Sequence, residues 1–383
     1  MNFSKHWAAT LDDYAIDLAW SPDGKFLAAA SAAGGVSIFD AAGTLVHKLA
    51  GHDNGANCLA WMPDASPVGS ALAQTDDRGA RKHAPYGGLL ATGGQDGKVK
   101  LWNGITGARA HEIQLGDDWV EHLGWASAIL PVGPALAQAD AVGARKHAPY
   151  HTPLLFATAG KKLTALRPDG SIAHAFPDAP KTITALALNS QHSTLSSSHL
   201  AVAYFGGVCV WDATTFASHK EFLYGNTIHA LTWSPDGRWL VAGCQDNAVH
   251  LWAPAEDLEL HMSGYETKLK ELSFSRDSKW LATGGGRDAC VWDCTGAGPE
   301  GREPLMLPHQ ARVVATAFQH QHSLVATGAA DGEFCLWSPT RKNPLIAEVK
   351  LPAAATKFAW SPDDTLLAIG TEKGSVFVFK FEN

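Results

Sequence analysis

The chain has 383 residues, a formal net charge of −8, 46% hydrophobic and 18% charged residues, a balance that suits a folded protein with a sizeable core. The acidic balance disfavours a general nucleic-acid binder, and neither an 18-residue apolar run nor a hydrophobic signal core at Met1–Tyr14 points to a membrane or to secretion. Six cysteines lack zinc-knuckle and CxxCH spacing, and Cys58, Cys209, Cys290 and Cys335 fall in strand-patterned segments, so a reducing, cytoplasmic setting is expected.

In chain order, a short segment Phe3–Thr10 comes first and has no repeat of its own. One phrase then returns eight times: an apolar anchor, an SPDG-like turn, an LATGG-like strand and a strand ending in LW or WD. The anchors are Trp20, Trp61, Trp125, Leu188, Trp233, Phe274, Phe318 and Trp360, spaced by 41, 64, 63, 45, 41, 44 and 42 residues. From anchor to the Ala of LATG the distance is 8 in five repeats, but 30 from Trp61 to Ala91, 32 from Trp125 to Ala157 and 13 from Leu188 to Ala201. Removing those excesses leaves a period of about 40 to 42 residues, the length of a four-stranded propeller blade. Repeats two and three therefore carry inserts, at about 65–87 and 128–152, in the loop between their first and second strands. The cores of the two inserts, Pro67–Tyr86 and Pro131–Tyr150, agree at sixteen of twenty positions. Surface loops accept such insertions at little entropic cost, and tolerated insertion is preferred here over a paired recognition arm. Repeat four has a Ser-rich loop, Asn189–His199, in the same place.

Repeat five shows the strands within a blade. Ile228–Trp233 alternates apolar residues, Ser234–Gly237 turns the chain, Trp239–Gly243 forms a second strand, and Ala248–Trp252 a third. Isolated small sheets cannot bury both faces, so blades must stack, and closing the ring protects their edges. The last segment, Ser375–Phe381, is a third strand with no fourth after it. Phe3–Thr10 is expected to complete that blade. The expected fold is all-β: one domain over 1–383, a single eight-bladed β-propeller of four-stranded antiparallel blades. A seven-bladed ring with one displaced repeat would leave an unpaired edge.

With literal WD pairs at Trp211-Asp212 and Trp292-Asp293 and looser forms at Trp102, Trp252 and Trp337, the chain resembles the WD-repeat β-propeller family over nearly its whole length. The resemblance implies buried tetrads of structural purpose: His52, Thr92, Asp96 and Trp102 in repeat two, and His309, Thr327, Asp331 and Trp337 in repeat seven. It also implies that the face carrying the blade-entry loops docks proteins or peptides. On that face the sequence places Tyr14, Trp119, Lys161, Tyr204, Phe205, Tyr265, Lys268, Arg287 and Arg312 as partner-binding candidates. Aromatic and Arg side chains at exposed turns make interface anchors, while packing on a neighbouring blade is the competing reading.

Histidines collect on the opposite, insert-bearing face: His83, His147, His151, His192, His199, His320 and His322. Only His320 and His322 form a close HxH pair, and no carboxylate or Cys completes a recognisable ligand set. Solvated loop histidines are the expectation. The alternatives carried are a Zn, Ni or Cu accessory protein using this face and a non-catalytic subunit of an enzyme complex. There is no GxSxG elbow, P-loop or HExxH motif. The sequence thus predicts a non-enzymatic, cofactor-free, monomeric interaction platform with an unnamed protein or peptide partner.

Overall fold

The computed structural model describes residues 2–63, 88–129, 151–189 and 199–382. Pro67–Tyr86, Pro131–Tyr150 and most of the repeat-four loop, with His83, His147 and His192, lie outside the described residues.

Eight four-stranded antiparallel sheets form the ring. In blade one the strands are Ala15–Trp20, Phe26–Ser31, Val36–Asp40 and Leu45–Leu49, in that order across the sheet. Seven blades follow this pattern. In the eighth, Ala355–Trp360, Leu366–Thr371 and Ser375–Glu382 are completed by Asn2–Thr10, which pairs from Asn2 opposite Glu382 to Thr10 opposite Ser375. The chain is an eight-bladed propeller closed by its earliest strand.

The SPDG phrase turns the chain through one repeated hydrogen-bond pattern. The Ser21 hydroxyl donates to Asp23 at 2.7 Å and accepts the Phe26 amide at 3.0 Å, holding the two strand ends together. Ser234, Ser275 and Ser361 do the same with Asp236, Asp277 and Asp363. The fourth position needs positive φ, supplied by Gly24 at 69° and Gly237 at 76°, and borne by Ser278 and Asp364 at 61° and 60°.

The anchors explain how blades join. The Trp61 indole N–H donates to the Ala19 carbonyl at 3.0 Å, Trp125 to Ala60 at 3.1 Å and Trp360 to Ala317 at 3.2 Å. Each acceptor is the residue before the preceding blade's anchor. Trp20 bonds Ala359 at 3.0 Å, which carries the series across the closure. Core clusters accordingly lie between neighbouring blades; Trp7, Trp20, Leu27, Val376 and Val378 share one at the closure.

One alignment needs correcting. Trp125 pairs with Leu155, as Trp20 does with Leu27, so Phe156 and not Ala157 occupies the Ala28 position in blade three. The LLFATAG run resembles LATGG one residue too far along, and ladder register decides.

The tetrads are buried hydrogen-bonded units. His52 Nε2 lies 2.8 Å from Thr92 Oγ1, its Nδ1 2.8 Å from Asp96, and the Trp102 indole donates to Thr92 at 2.9 Å. Burial lowers the His52 pKa below the usual imidazole value against the opposing pull of Asp96. Blade seven repeats the Thr327 and Trp337 bonds, at 2.7 and 2.6 Å, but His309 Nδ1 meets Glu333 at 2.8 Å. Asp331 instead takes Lys350 at 2.7 Å. The longer Glu333 side chain reaches the imidazole from the start of the third strand, so the turn aspartate expected there is not the tetrad's acid.

Candidate partner-binding face

The first strands surround the axis, and seven of them carry a register shift just after their first residue. Such bulges sharpen twist and re-aim side chains. At this level adjacent blades are stitched by polar groups: Asn57 Nδ2 donates to the Val120 carbonyl at 3.2 Å and Thr356 Oγ1 to that of Ala15 at 2.6 Å. Asp17 accepts the Leu59 amide at 3.0 Å and the Lys357 ammonium at 3.1 Å, linking blades eight, one and two. The Asp17 charge raises the Lys357 pKa against the cost of burial. Burial raises Glu121 and Glu271 and lowers His122 to about 4, so the His122 imidazole at the blade-entry end of the axis is neutral near pH 7.

Around that end the candidates separate. Trp119 is 51% exposed in the loop entering blade three, Phe205 52% at the turn between second and third strands of blade four, and Leu223 80% where the chain leaves blade four for blade five. Phe205 and Leu223 flank the Tyr224 amide to Gly206 carbonyl bond of 2.9 Å, and Trp119 stands at the entry to the preceding blade. Trp119 also borders a cleft of about 250 Å³ with Asp117, Asp118, Glu121, Gly160 and Thr182. Lys161 is exposed beside Gly160.

The other candidates are elsewhere. Tyr14 is 44% exposed at the entry to blade one, while Lys268, Arg287 and Arg312 are exposed on blades six and seven, Arg287 donating to the Gln310 carbonyl at 3.1 Å. Tyr204 and Tyr265 are not free anchors. Tyr204 is buried and its hydroxyl donates to Glu221 at 2.6 Å. Tyr265 packs in the blade five–six core, accepts the Trp292 indole N–H at 2.9 Å and sits 3.1 Å from Thr283 Oγ1, filling the role of a tetrad His. Leu223, Asp117 and Glu121 were missed. Leu223 reads as one more apolar position of an alternating outer strand, and Glu121 sits at a bulge that breaks the period-2 pattern.

On the insert-bearing face a cavity of about 390 Å³ opens between the first-strand ends of blades four to seven. Its lining includes the three anchors that are not Trp, Leu188, Phe274 and Phe318, so the space follows from missing indoles. His320 Nε2 lies 3.2 Å from the Trp360 carbonyl, and the amides of His320, Gln321 and His322 all donate to Asp364. His199 lies against His219 and Trp233. These contacts give the HxH pair a turn-forming use.

The comparisons agree with this architecture. The description "WD domain, G-beta repeat" matches residues 43–103, 213–253, 258–293 and 303–338, and "Anaphase-promoting complex subunit 4 WD40 domain" matches 1–64. The B-type cell cycle switch protein ccs52A of Medicago truncatula is 24% identical over 171 residues, 43% of this chain and 35% of that protein. Elongator complex protein 2 of Dictyostelium discoideum is 26% identical over 190 residues, 42% of this chain and 21% of that one. Protein LST8 homolog of Drosophila melanogaster is 26% identical over 182 residues, 44% and 55% respectively. The chain thus matches about a fifth to about half of the length of these relatives. The crystal structure of the computationally designed Ika8 protein superposes with a TM-score of 0.70 at 17% identity, covering 99% of this chain and 100% of that one, a likeness of fold. With the repeat phrase, the eight-bladed ring and these matches together, the chain belongs to the WD-repeat β-propeller family.

Proposed function

We propose that the chain is a non-catalytic platform that binds a protein or peptide through the blade-entry face over blades three and four. The observation that carries this reading is that Trp119, Phe205 and Leu223 are each more than half exposed at the blade-entry ends of two neighbouring blades. Exposed aromatics gathered in one place mark interaction surfaces, whereas single ones carry no such meaning. The carboxylates of Asp117, Asp118 and Glu121 beside the Trp119 indole suit a basic side chain of the partner, which would gain ion pairing and a cation–π contact. One relative is named as a member of an assembly, Elongator complex protein 2, which supports the reading of a chain that binds other proteins.

Capture from the native host with the double variant Trp119→Ala, Phe205→Ala beside the wild type tests it. The variant should keep its melting temperature and lose its captured partner, with affinity falling by roughly 2 kcal/mol or more, the scale of a hot-spot aromatic. Unchanged capture by a folded variant would move the docking surface elsewhere.

A further inference from the structure

Blades two and seven hold the same buried unit with one exchange that alters its chemistry. In blade two the residue opposite Thr92 on the third strand is Lys100, which is buried, places its ammonium 3.6 Å from Asp96 and donates to the Gly51 carbonyl. The tetrad's acid therefore has a cation built in. In blade seven the residue opposite Thr327 is Cys335, only 2% exposed, and the acid is Glu333. Lys350 is turned to Asp331. Where blade two supplies an ammonium, blade seven thus gathers an imidazole, a carboxylate and a thiol, with a His309 ring nitrogen, a Glu333 oxygen and Cys335 Sγ all within 4.8 Å of one another.

We propose that His309, Glu333 and Cys335 form a binding site for a thiophilic divalent cation of the zinc class, taking the place of the missing lysine. Ligand type selects the ion: a thiolate with imidazole favours Zn²⁺ or Co²⁺ over Mg²⁺ or Ca²⁺. Tetrahedral bonds to N, O and S put ligand atoms about 3.3 to 3.7 Å apart. The 2.8 Å imidazole–carboxylate contact opens by about half an ångström to admit the ion. Binding releases one proton, from the thiol, while the ring proton of the neutral imidazole moves from Nδ1 to Nε2, and the 2+ charge is met by the thiolate and the carboxylate. Nε2 then carries the ring proton and donates to Thr327 Oγ1, 2.7 Å away, the outer-shell bond that orients a metal-bound histidine. The fourth position is left for water.

The experiment is titration of the reduced, chelator-treated full chain with Co²⁺, followed by absorption, and with Zn²⁺, followed by melting temperature. One equivalent of Co²⁺ should produce a near-ultraviolet thiolate-to-cobalt charge-transfer band that Zn²⁺ displaces, and Zn²⁺ should raise the melting temperature. Cys335→Ser should abolish the band with the fold intact. Cys335→Lys, which copies blade two, should fold without metal and lose the Zn²⁺-dependent shift. A chain giving no band at stoichiometric Co²⁺, or a band surviving in Cys335→Ser, overturns the site. Should Cys335→Ser fail to fold, Glu333→Gln decides: Co²⁺ affinity should fall beyond the roughly 10–100-fold that losing an outer-shell partner costs, and unchanged affinity overturns the proposal.

Discussion

A buried imidazole needs both ring nitrogens engaged, and in blade seven Thr327 and Glu333 share that work while Asp331 stands outside it. Asp331→Ala removes an exposed ion pair and should change stability by no more than about 1 kcal/mol. Glu333→Ala strands a buried ring nitrogen and should cost about 1–3 kcal/mol, the two being compared by urea unfolding. Family spacing made Asp331 the natural choice; only side-chain reach tells the two acids apart. His122 supports a prediction of pH dependence. Its folded pKa of about 4, set by burial, lies below the unfolded value of 6.5, so stability is full above pH 6.5 and falls as pH drops toward 4, where the unfolded chain binds the proton first. Between pH 7 and 5 the wild type should lose up to about 2 kcal/mol more than His122→Phe does. Equal losses in parallel denaturation curves would show that His122 is not the group responsible.

Among elements, four first strands are tied to the preceding blade by the anchor at their end, Trp20, Trp61, Trp125 or Trp360. Trp61 donates its indole N–H to Ala19, whereas the Trp233 indole is buried with no partner among the described residues. Trp61→Phe should therefore destabilise by about 1 kcal/mol more than Trp233→Phe, since it alone breaks a made bond and orphans a carbonyl. Matching thermal shifts for the two would refute the staple. The anchors were legible in sequence as punctuation, and blade number, strand order and completion of the last blade followed from their spacing. Their hydrogen bonds were not legible, because the acceptor is a main-chain carbonyl in another repeat. The same limit applied to the candidate site. Trp119 and Phe205 were readable as aromatics at turns, but Tyr204 and Tyr265 looked alike in sequence and are held by Glu221, and by Trp292 and Thr283, respectively.

For the whole molecule, stability rests on the ring being complete. Trp7 is buried at the closure, donates to the Ala41 carbonyl at 3.0 Å and lies 5.4 Å from Phe39, so one side chain joins the closing strand to blade one. Trp7→Ala should cost about 3–5 kcal/mol, read as a lower unfolding midpoint, and should raise aggregation by loosening an edge. A loss below 1 kcal/mol would mean that the ring closes without it.

The pairing of Asn2–Thr10 with Ser375–Glu382 also sets a timetable. At about 5–20 residues per second of synthesis, the closing strand waits roughly 20 to 75 seconds for its partner. Throughout that interval it carries Phe3 and Trp7 with one ladder edge unmet, in reach of any other nascent chain. A chaperone that shields Asn2–Thr10 until Ser375–Glu382 has been made should raise the yield of closed rings more than one acting on an interior blade.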